Sequence, residues 1–179
     1  MKKYNTNYKK RVDVERDMYL PRRSPKGLLC CRGCGSVYYR RRWTLTPGLE
    51  VGNRAESGER IRSVLCPACR KIHDHFPGGE LRLIGIALGE KEEILRLLRN
   101  EEKRAREKNP LERIMRVTME NGGLKAETTT EKLAQRLGRS LRKARGGKVS
   151  YKWSHNNKYA RVVWEKGEKT SSRENKIPS

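Results

Sequence analysis

An α+β chain in two structured parts is predicted by three features of the sequence. Two Cys-x-x-Cys pairs occupy its first half, strand and helix periodicities alternate after residue 80, and positive charge is concentrated away from the middle. The expected organisation is a basic extended arm over 1–26, a cysteine module over 27–79, an α+β domain over 80–165 and a disordered tail over 166–179. The 179 residues carry 43 Lys and Arg against 21 Asp and Glu, a formal +22. A surplus so far above the magnitude of about 2 to 8 usual for a small domain calls for a polyanionic partner. Its distribution is uneven: net +6 over 1–26, +5 over 27–79, +1 over 80–121 and +10 over 122–179.

The arm shows neither a period of two nor one of 3.6, and Pro21 and Pro25 interrupt any element begun there. Lys9, Lys10, Arg11, Arg22 and Arg23 supply much of its charge, while Met18, Tyr19 and Leu20 are positioned to anchor it on a surface. No apolar run follows within the first 27 residues, and Leu81 to Leu88, interrupted by Arg82, is far shorter than the ~20 residues of a membrane span. The expectation is a cytoplasmic protein with no membrane association, whose five cysteines are reduced.

Cys31-Arg-Gly-Cys34 and Cys66-Pro-Ala-Cys69 carry the strongest chemical signal. A two-residue gap lets a tight turn aim both sulfurs at one ion, and two such turns close a tetrahedral four-thiolate site with no open position. One structural Zn2+ on Cys31, Cys34, Cys66 and Cys69 is therefore expected, in a zinc ribbon. The 31 residues between the pairs exceed the compact spacing of about 15 to 20. An inserted hairpin or loop accounts for the excess, with Val37–Tyr39 and Trp43–Leu45 as strands and residues 47–59 as the loop. The module has few large apolar residues, and metal binding worth about 10 to 16 kcal/mol can replace a core. A redox dithiol would use one pair, not two. Cys30 adjoins Cys31 without giving the two-residue spacing, and His73 and His75 read as surface residues on a basic turn.

After residue 80 the pattern reads Glu80–Leu88 as a strand and Glu90–Lys108 as a helix. That helix carries Ile94, Leu95, Leu97 and Leu98 on one face, has i,i+4 pairs at Glu92–Arg96 and Glu102–Arg106, and is stopped by Pro110. Arg113–Met119 and Leu124–Thr128 follow as strands joined at Asn121-Gly122-Gly123, a sequence with hairpin chemistry. A second helix over Thr129–Arg145 repeats Leu133, Leu137 and Leu141. Thr128 and Glu131 form its capping box, and Gly146-Gly147 end it. Val149–Trp153 and Tyr159–Trp164 close the domain around Asn156-Asn157. This order is that of a ferredoxin-like βαββαβ domain, with two helices on one face of an antiparallel sheet and the other face free for single-stranded RNA.

Tyr38-Tyr39-Arg40-Arg41-Arg42-Trp43 interleaves guanidinium groups with aromatic rings, a composition suited to bases and phosphates. Alternate strand residues face opposite ways, so Tyr38 and Trp43 can pack beneath the ribbon while the Arg residues face outward. Arg136, Arg139, Arg142, Lys143 and Arg145 lie mostly off the Leu stripe of the second helix, and Lys148, Lys152, Lys158 and Arg161 continue the charge onto the last hairpin. Trp153 and Trp164 read as core or cross-strand residues. Gly146-Gly147-Lys148 is no nucleotide loop, because Arg142 stands where that motif needs Gly and Val149 where it needs Ser or Thr. With three Asp, three His and no triad or paired-carboxylate signature, a non-enzymatic monomer without a small-molecule substrate is expected.

In Cys31 to Cys34, Trp43, Cys66-Pro-Ala-Cys69, Asn109-Pro-Leu-Glu-Arg-Ile-Met115 and Thr128-Thr-Thr-Glu-Lys-Leu133, the chain resembles small uncharacterised bacterial zinc-ribbon proteins, over about residues 20 to 165. The resemblance implies a fold order more than a function. In metal spacing and domain order it is more loosely similar to the archaeal and eukaryotic large-ribosomal-subunit export adaptor of the nonsense-mediated-decay naming, which implies binding to ribosomal RNA. The expected function is that of a zinc-dependent, ribosome-associated rRNA-binding protein, a hibernation, assembly or stress factor. The alternatives are a DNA-binding transcriptional regulator with a zinc module, which needs a recognition helix, and an adaptor that binds protein through the charge-balanced helix Glu90–Lys108.

Overall fold

The computed structural model describes residues 17–45, 60–120, 122–154 and 159–167. Expectations for Lys9, Lys10, Arg11, the 47–59 loop, Asn121, His155, Asn156-Asn157, Lys158 and the tail beyond 167 lie outside those residues.

The first half forms a small sheet from β1 (Leu29–Cys31), β2 (Val37–Tyr39), β3 (Arg42–Thr44) and β4 (Arg62–Val64), in the order β3-β2-β1-β4. The β1-β2-β3 meander is antiparallel, whereas β4 joins β1 in parallel with Cys31 opposite Val64. Helix α1 (Pro67–His73) follows β4 directly, with Cys66 as its N-cap and Pro67 opening its first turn, where the missing N–H costs nothing.

The second half contains β5 (Gly79–Ile84), a 3-10 turn (Leu88–Glu90), α2 (Lys91–Lys108), β6 (Ile114–Glu120), β7 (Gly123–Thr128), α3 (Glu131–Arg145), β8 (Lys148–Trp153) and β9 (Ala160–Glu165). The elements come in the expected order, but the sheet is five-stranded and mixed: β6-β7-β5-β9-β8, with β9 parallel to β5. It departs from an antiparallel ferredoxin-like sheet because β9 enters between β5 and β8. Residue pattern explains which strand goes inside. Ala160, Val162 and Trp164 of β9 alternate as fully buried residues, whereas every residue of β8 except Val149 is exposed.

Helix α3 lies across this sheet, burying Leu133, Ala134, Leu137 and Leu141 against Leu81, Leu83, Leu124, Ala126, Val162 and Trp164. Helix α2 packs alongside α3 and adds Ile94, Leu98 and Ala105 to the same core. It ends at Asn109, whose extended backbone is the conformation that a following proline imposes. Neither expected i,i+4 pair forms. Glu102 instead accepts the N–H of Ile114 at 2.9 Å, and Glu101 pairs with Arg104 at 2.7 Å.

The capping box is likewise replaced. Thr130, not Thr128, caps α3, its hydroxyl accepting the Leu133 N–H at 3.2 Å. Thr128 is the last residue of β7, and its hydroxyl lies 3.2 Å from the Gly79 carbonyl and 2.8 Å from that of Thr130. Trp164 is core, with its indole N–H donating to the Gly146 carbonyl at 2.9 Å, but Trp153 is 52% exposed.

The sheet face away from the helices is a lattice of ion pairs. Buried Glu80 accepts the Tyr159 hydroxyl at 3.0 Å and is approached by Arg82, Arg161 and Lys125. Arg116 grips Glu127 through two nitrogens at 2.6 and 3.2 Å, and Lys125 adds a third donor at 3.2 Å. The Arg116 hydrogen bonds, outweighing burial, hold the Glu127 carboxyl below the usual glutamate range. The charges at the centre of this face are occupied with one another, whereas Lys148 and Lys152 on its edge strand are exposed. Among the described residues no helix is long and apolar enough to cross a membrane.

Close approach of α3 to the sheet is possible because residue 138 is glycine: a Cβ there would stand 2.7 Å from Val162 Cγ1 and 3.3 Å from Val149 Cγ1. In Gly138→Ala, overpacking of about 1 to 3 kcal/mol opposes a helix-propensity gain of about 1 kcal/mol. Thermal denaturation of this variant is expected to show a lower Tm. A higher Tm would mean that α3 has room to lift.

Candidate functional site

The four sulfurs of Cys31, Cys34, Cys66 and Cys69 all lie within 4.8 Å of one another, and Cys34 Sγ stands 3.7 Å from Cys66 Sγ. A tetrahedron with metal–sulfur bonds of about 2.3 Å has edges of roughly 3.8 Å, so the donor set fits a single four-coordinate ion. Local structure brings the sulfurs together. The parallel pairing of β1 with β4 sets Cys31 beside the chain that leads to Cys66, and α1 returns Cys69 one turn later. The first pair is turned by Gly35, whose φ of +72° a side chain would strain. Cys30, which occupies the middle of β1, is not among the clustered sulfurs, nor is either histidine: His73 is exposed and pairs with Asp74.

Backbone donors point into the cluster. The Cys66 N–H reaches Cys31 Sγ at 3.2 Å and the Cys69 N–H reaches Cys66 Sγ at 3.4 Å. Burial raises the Cys31 thiol, but the N–H groups of Cys66, Gly33 and Cys34 outweigh it and bring that thiol down to about 7. Burial pushes Cys66 well up and Cys69 to about 11, with Cys31 and Cys34 adding to both. Four thiols so close cannot all ionise unaided. A dication removes that penalty, and its binding displaces protons.

A residue far along the sequence completes the surroundings. Arg113 donates from one guanidinium nitrogen to Cys69 Sγ at 3.3 Å, and Leu111 packs against the cysteine cluster with Leu65 and Trp43. This segment is held by Thr129, whose hydroxyl donates to the Leu111 carbonyl at 2.6 Å and accepts the Arg113 N–H at 2.9 Å. On the other side of the joint, buried Lys71 of α1 reaches the Thr129 carbonyl at 3.1 Å and Asp17 at 2.6 Å. Tyr19 anchors the end of the arm here: it is buried, 5.4 Å from the Phe76 ring centroid and beneath Arg70 and Lys71. Met18 and Leu20 remain exposed.

The candidate nucleic-acid residues divide into three places. Arg136, Arg139, Lys143 and Arg145 line a groove of about 760 Å³ between α2 and α3, joined there by Arg96 and Arg104. Sequence reading missed those two because the α2 segment is nearly neutral in sum. Its acids are partly spent elsewhere, as Glu102 is on Ile114. Arg145 pairs with Glu90 and Glu93, whereas Arg96, Arg139 and Lys143 have no acidic partner among the described residues. Arg142 and Lys148 line a separate, smaller depression with Glu165. Arg22, Arg41 and Arg42 line a third site, a cleft between the arm, the thiolate module and the end of α2. Arg23 and Arg40 are exposed beside it.

Arg40 and Arg41 form the two-residue loop of the β2–β3 hairpin, with φ of +46° and +67°. Such turns favour Asn-Gly, and non-glycine residues in the left-handed region store strain. Arg41 Nε donates to Ser24 Oγ at 3.1 Å, tying the tip to the arm.

No family model, curated protein or solved structure matches this chain significantly.

Arg113→Met is expected to lower affinity for the bound metal about tenfold in chelator competition, since outer partners of ligands are typically worth 10- to 100-fold. Unchanged affinity would reduce Arg113 to a packing role. Replacing Arg40-Arg41 by Asn-Gly is expected to raise stability by about 1 kcal/mol in denaturant titrations, because the turn strain is relieved.

Proposed function

We propose that the chain is a non-enzymatic RNA-binding protein that holds one structural zinc ion at Cys31, Cys34, Cys66 and Cys69 and docks on ribosomal RNA. Four sulfurs in tetrahedral range favour zinc over harder cations, and a four-thiolate shell leaves no position for a substrate. The zinc-ribbon reading of the cysteine module and the ferredoxin-like reading of the α+β domain, the latter with β9 as an added strand, belong to this proposal as fold readings. The α+β domain would contact RNA through its helices and not its sheet.

The observation that carries the reading is the segregation of charge around α3. Arg136, Arg139 and Lys143 recur three and four residues apart and so share one side of the helix, and Arg96 and Arg104 face them from α2 across the groove. Helix-borne cations in a groove are suited to phosphates, which need position and charge but no base edge. The DNA-regulator alternative finds less support. The helix beside the metal, α1, has only seven residues, and its Lys71 is buried in the joint.

Co-sedimentation with ribosomes over a salt series tests the reading. Binding is expected to fall about 10^3- to 10^5-fold between 50 and 200 mM salt if about 6 to 10 phosphates are contacted. The triple variant Arg96→Ala, Arg139→Ala, Lys143→Ala is expected to reduce the log–log salt slope by about 2 to 3. Salt-independent sedimentation, or tighter binding to duplex DNA than to rRNA at equal salt, would overturn it.

A further inference from the structure

The cleft between the arm, the thiolate module and the C-terminal end of α2 differs from the α2–α3 groove in both shape and chemistry. Its volume is about 820 Å³, within the range of about 300 to 1,000 Å³ typical of sites for small ligands. Among the described residues five cations line it, namely Arg22, Arg41, Arg42, Arg70 and Lys108, and no acidic residue does. The α2–α3 groove, by contrast, includes Glu93 and Glu101. Among the described residues Arg22, Arg42 and Lys108 have no acidic partner, so the cleft mouth holds uncompensated positive charge around a wall that is mostly apolar.

Part of that wall is aromatic. Tyr38 and Trp43 are cross-strand partners whose ring centroids lie 5.4 Å apart at 57°. Trp43 is held from behind by the cysteine cluster, so the metal centre fixes the indole as well as the backbone. The strained Arg40-Arg41 tip is drawn to Ser24, which places the exposed Arg41 guanidinium at the mouth of the cleft. Strain of this kind persists where the surrounding structure over-determines it, and it clusters at ligand clamps.

An apolar, aromatic wall with a cationic rim matches a ligand with one flat apolar face and flanking negative charge. We propose that this cleft receives one unstacked RNA nucleotide, its base against the Tyr38–Trp43 pair and its neighbouring phosphates on Arg42, Arg22 and Lys108. The inference rests on the RNA-binding reading above and deepens it. The α2–α3 groove would grip backbone without regard to strandedness, whereas the cleft demands a base free of its stack. The site would therefore direct the protein to loops, bulges or ends, where RNA offers such bases.

The test uses the full metal-loaded chain in a Trp153→Phe background, so that Trp43 is the one tryptophan not buried, Trp164 being 1% exposed. Three probes are titrated at one salt concentration: a four-nucleotide single-stranded RNA, its sugar-phosphate analogue without bases, and a perfectly paired RNA duplex. The tetranucleotide is expected to quench Trp43 saturably and the base-free analogue to bind at least tenfold more weakly. The double variant Arg42→Ala, Lys108→Ala changes two exposed residues, and its fold is checked by circular dichroism and metal content. It is expected to lose about tenfold for the tetranucleotide while keeping its duplex affinity within twofold.

Equal binding of the base-free analogue would show a plain anion site, such as one for an acidic peptide, and overturn the inference alone. Equal loss for tetranucleotide and duplex would do the same. Failure of the parent protein to bind any of the RNA probes would overturn the RNA-binding reading itself.

Discussion

Four thiolates cannot be crowded into a space a few ångströms across, most of it shielded from water, unless positive charge is crowded in with them. The arrangement of Cys31, Cys34, Cys66 and Cys69 can hold one metal ion at its centre, and the rest of the first half is organised around those four sulfurs. The sheet there consists of three-residue strands, and its buried cluster is little more than two cysteines and an alanine, with Cys34, Cys69 and a few others partly buried around them. Such a sheet has little apolar surface of its own, and a metal ion bound by the four cysteines would replace the missing core.

That organisation also reaches the second half of the chain. Leu111 closes the cluster and Arg113 donates to one of its sulfurs. Three consecutive threonines then divide the work of joining the two halves. Thr128 completes β7, Thr129 turns its hydroxyl to the 111–113 segment, and Thr130 caps α3. Because Thr129 is also met by Lys71 from α1, one residue is touched by both sides of the joint. The metal centre and the α+β core are thereby set in register, and cations on α2, α3, the hairpin and the arm acquire fixed positions.

A surplus of positive charge is informative only where acids do not accompany it. On the open sheet face Glu80, Glu120 and Glu127 engage Arg82, Arg116, Lys125 and Arg161, so the face is close to self-neutralising. On the helical side Arg104, Arg136 and Arg145 are paired with acids, but among the described residues Arg96, Arg139 and Lys143 there, and Arg22, Arg42 and Lys108 around the arm, have no acidic partner. The polyanion is therefore expected on the helices, opposite to the side that sheet-based RNA readers use.

Much of this was legible from residue type and spacing. The paired Cys-x-x-Cys runs gave the ligands because two-residue gaps have few other uses. The leucines of α3 and the alternation of β9 gave core elements, because periodicity reports burial directly. What spacing could not give is what depends on contacts remote in the chain. Strand order was one such feature, since the depth of burial, and not sequence order, sent β9 inside and β8 to the edge. The cap of α3 was another, because Thr128 was already engaged by Gly79, forty-nine residues away. Arg96 and Arg104 joined the cationic groove only once α2 had packed on α3, and Arg113 met Cys69 only through the folded joint. Ligand identity is local and follows from covalent spacing. Which charges stay unpaired is a property of three-dimensional neighbours, and only the tertiary structure decides it.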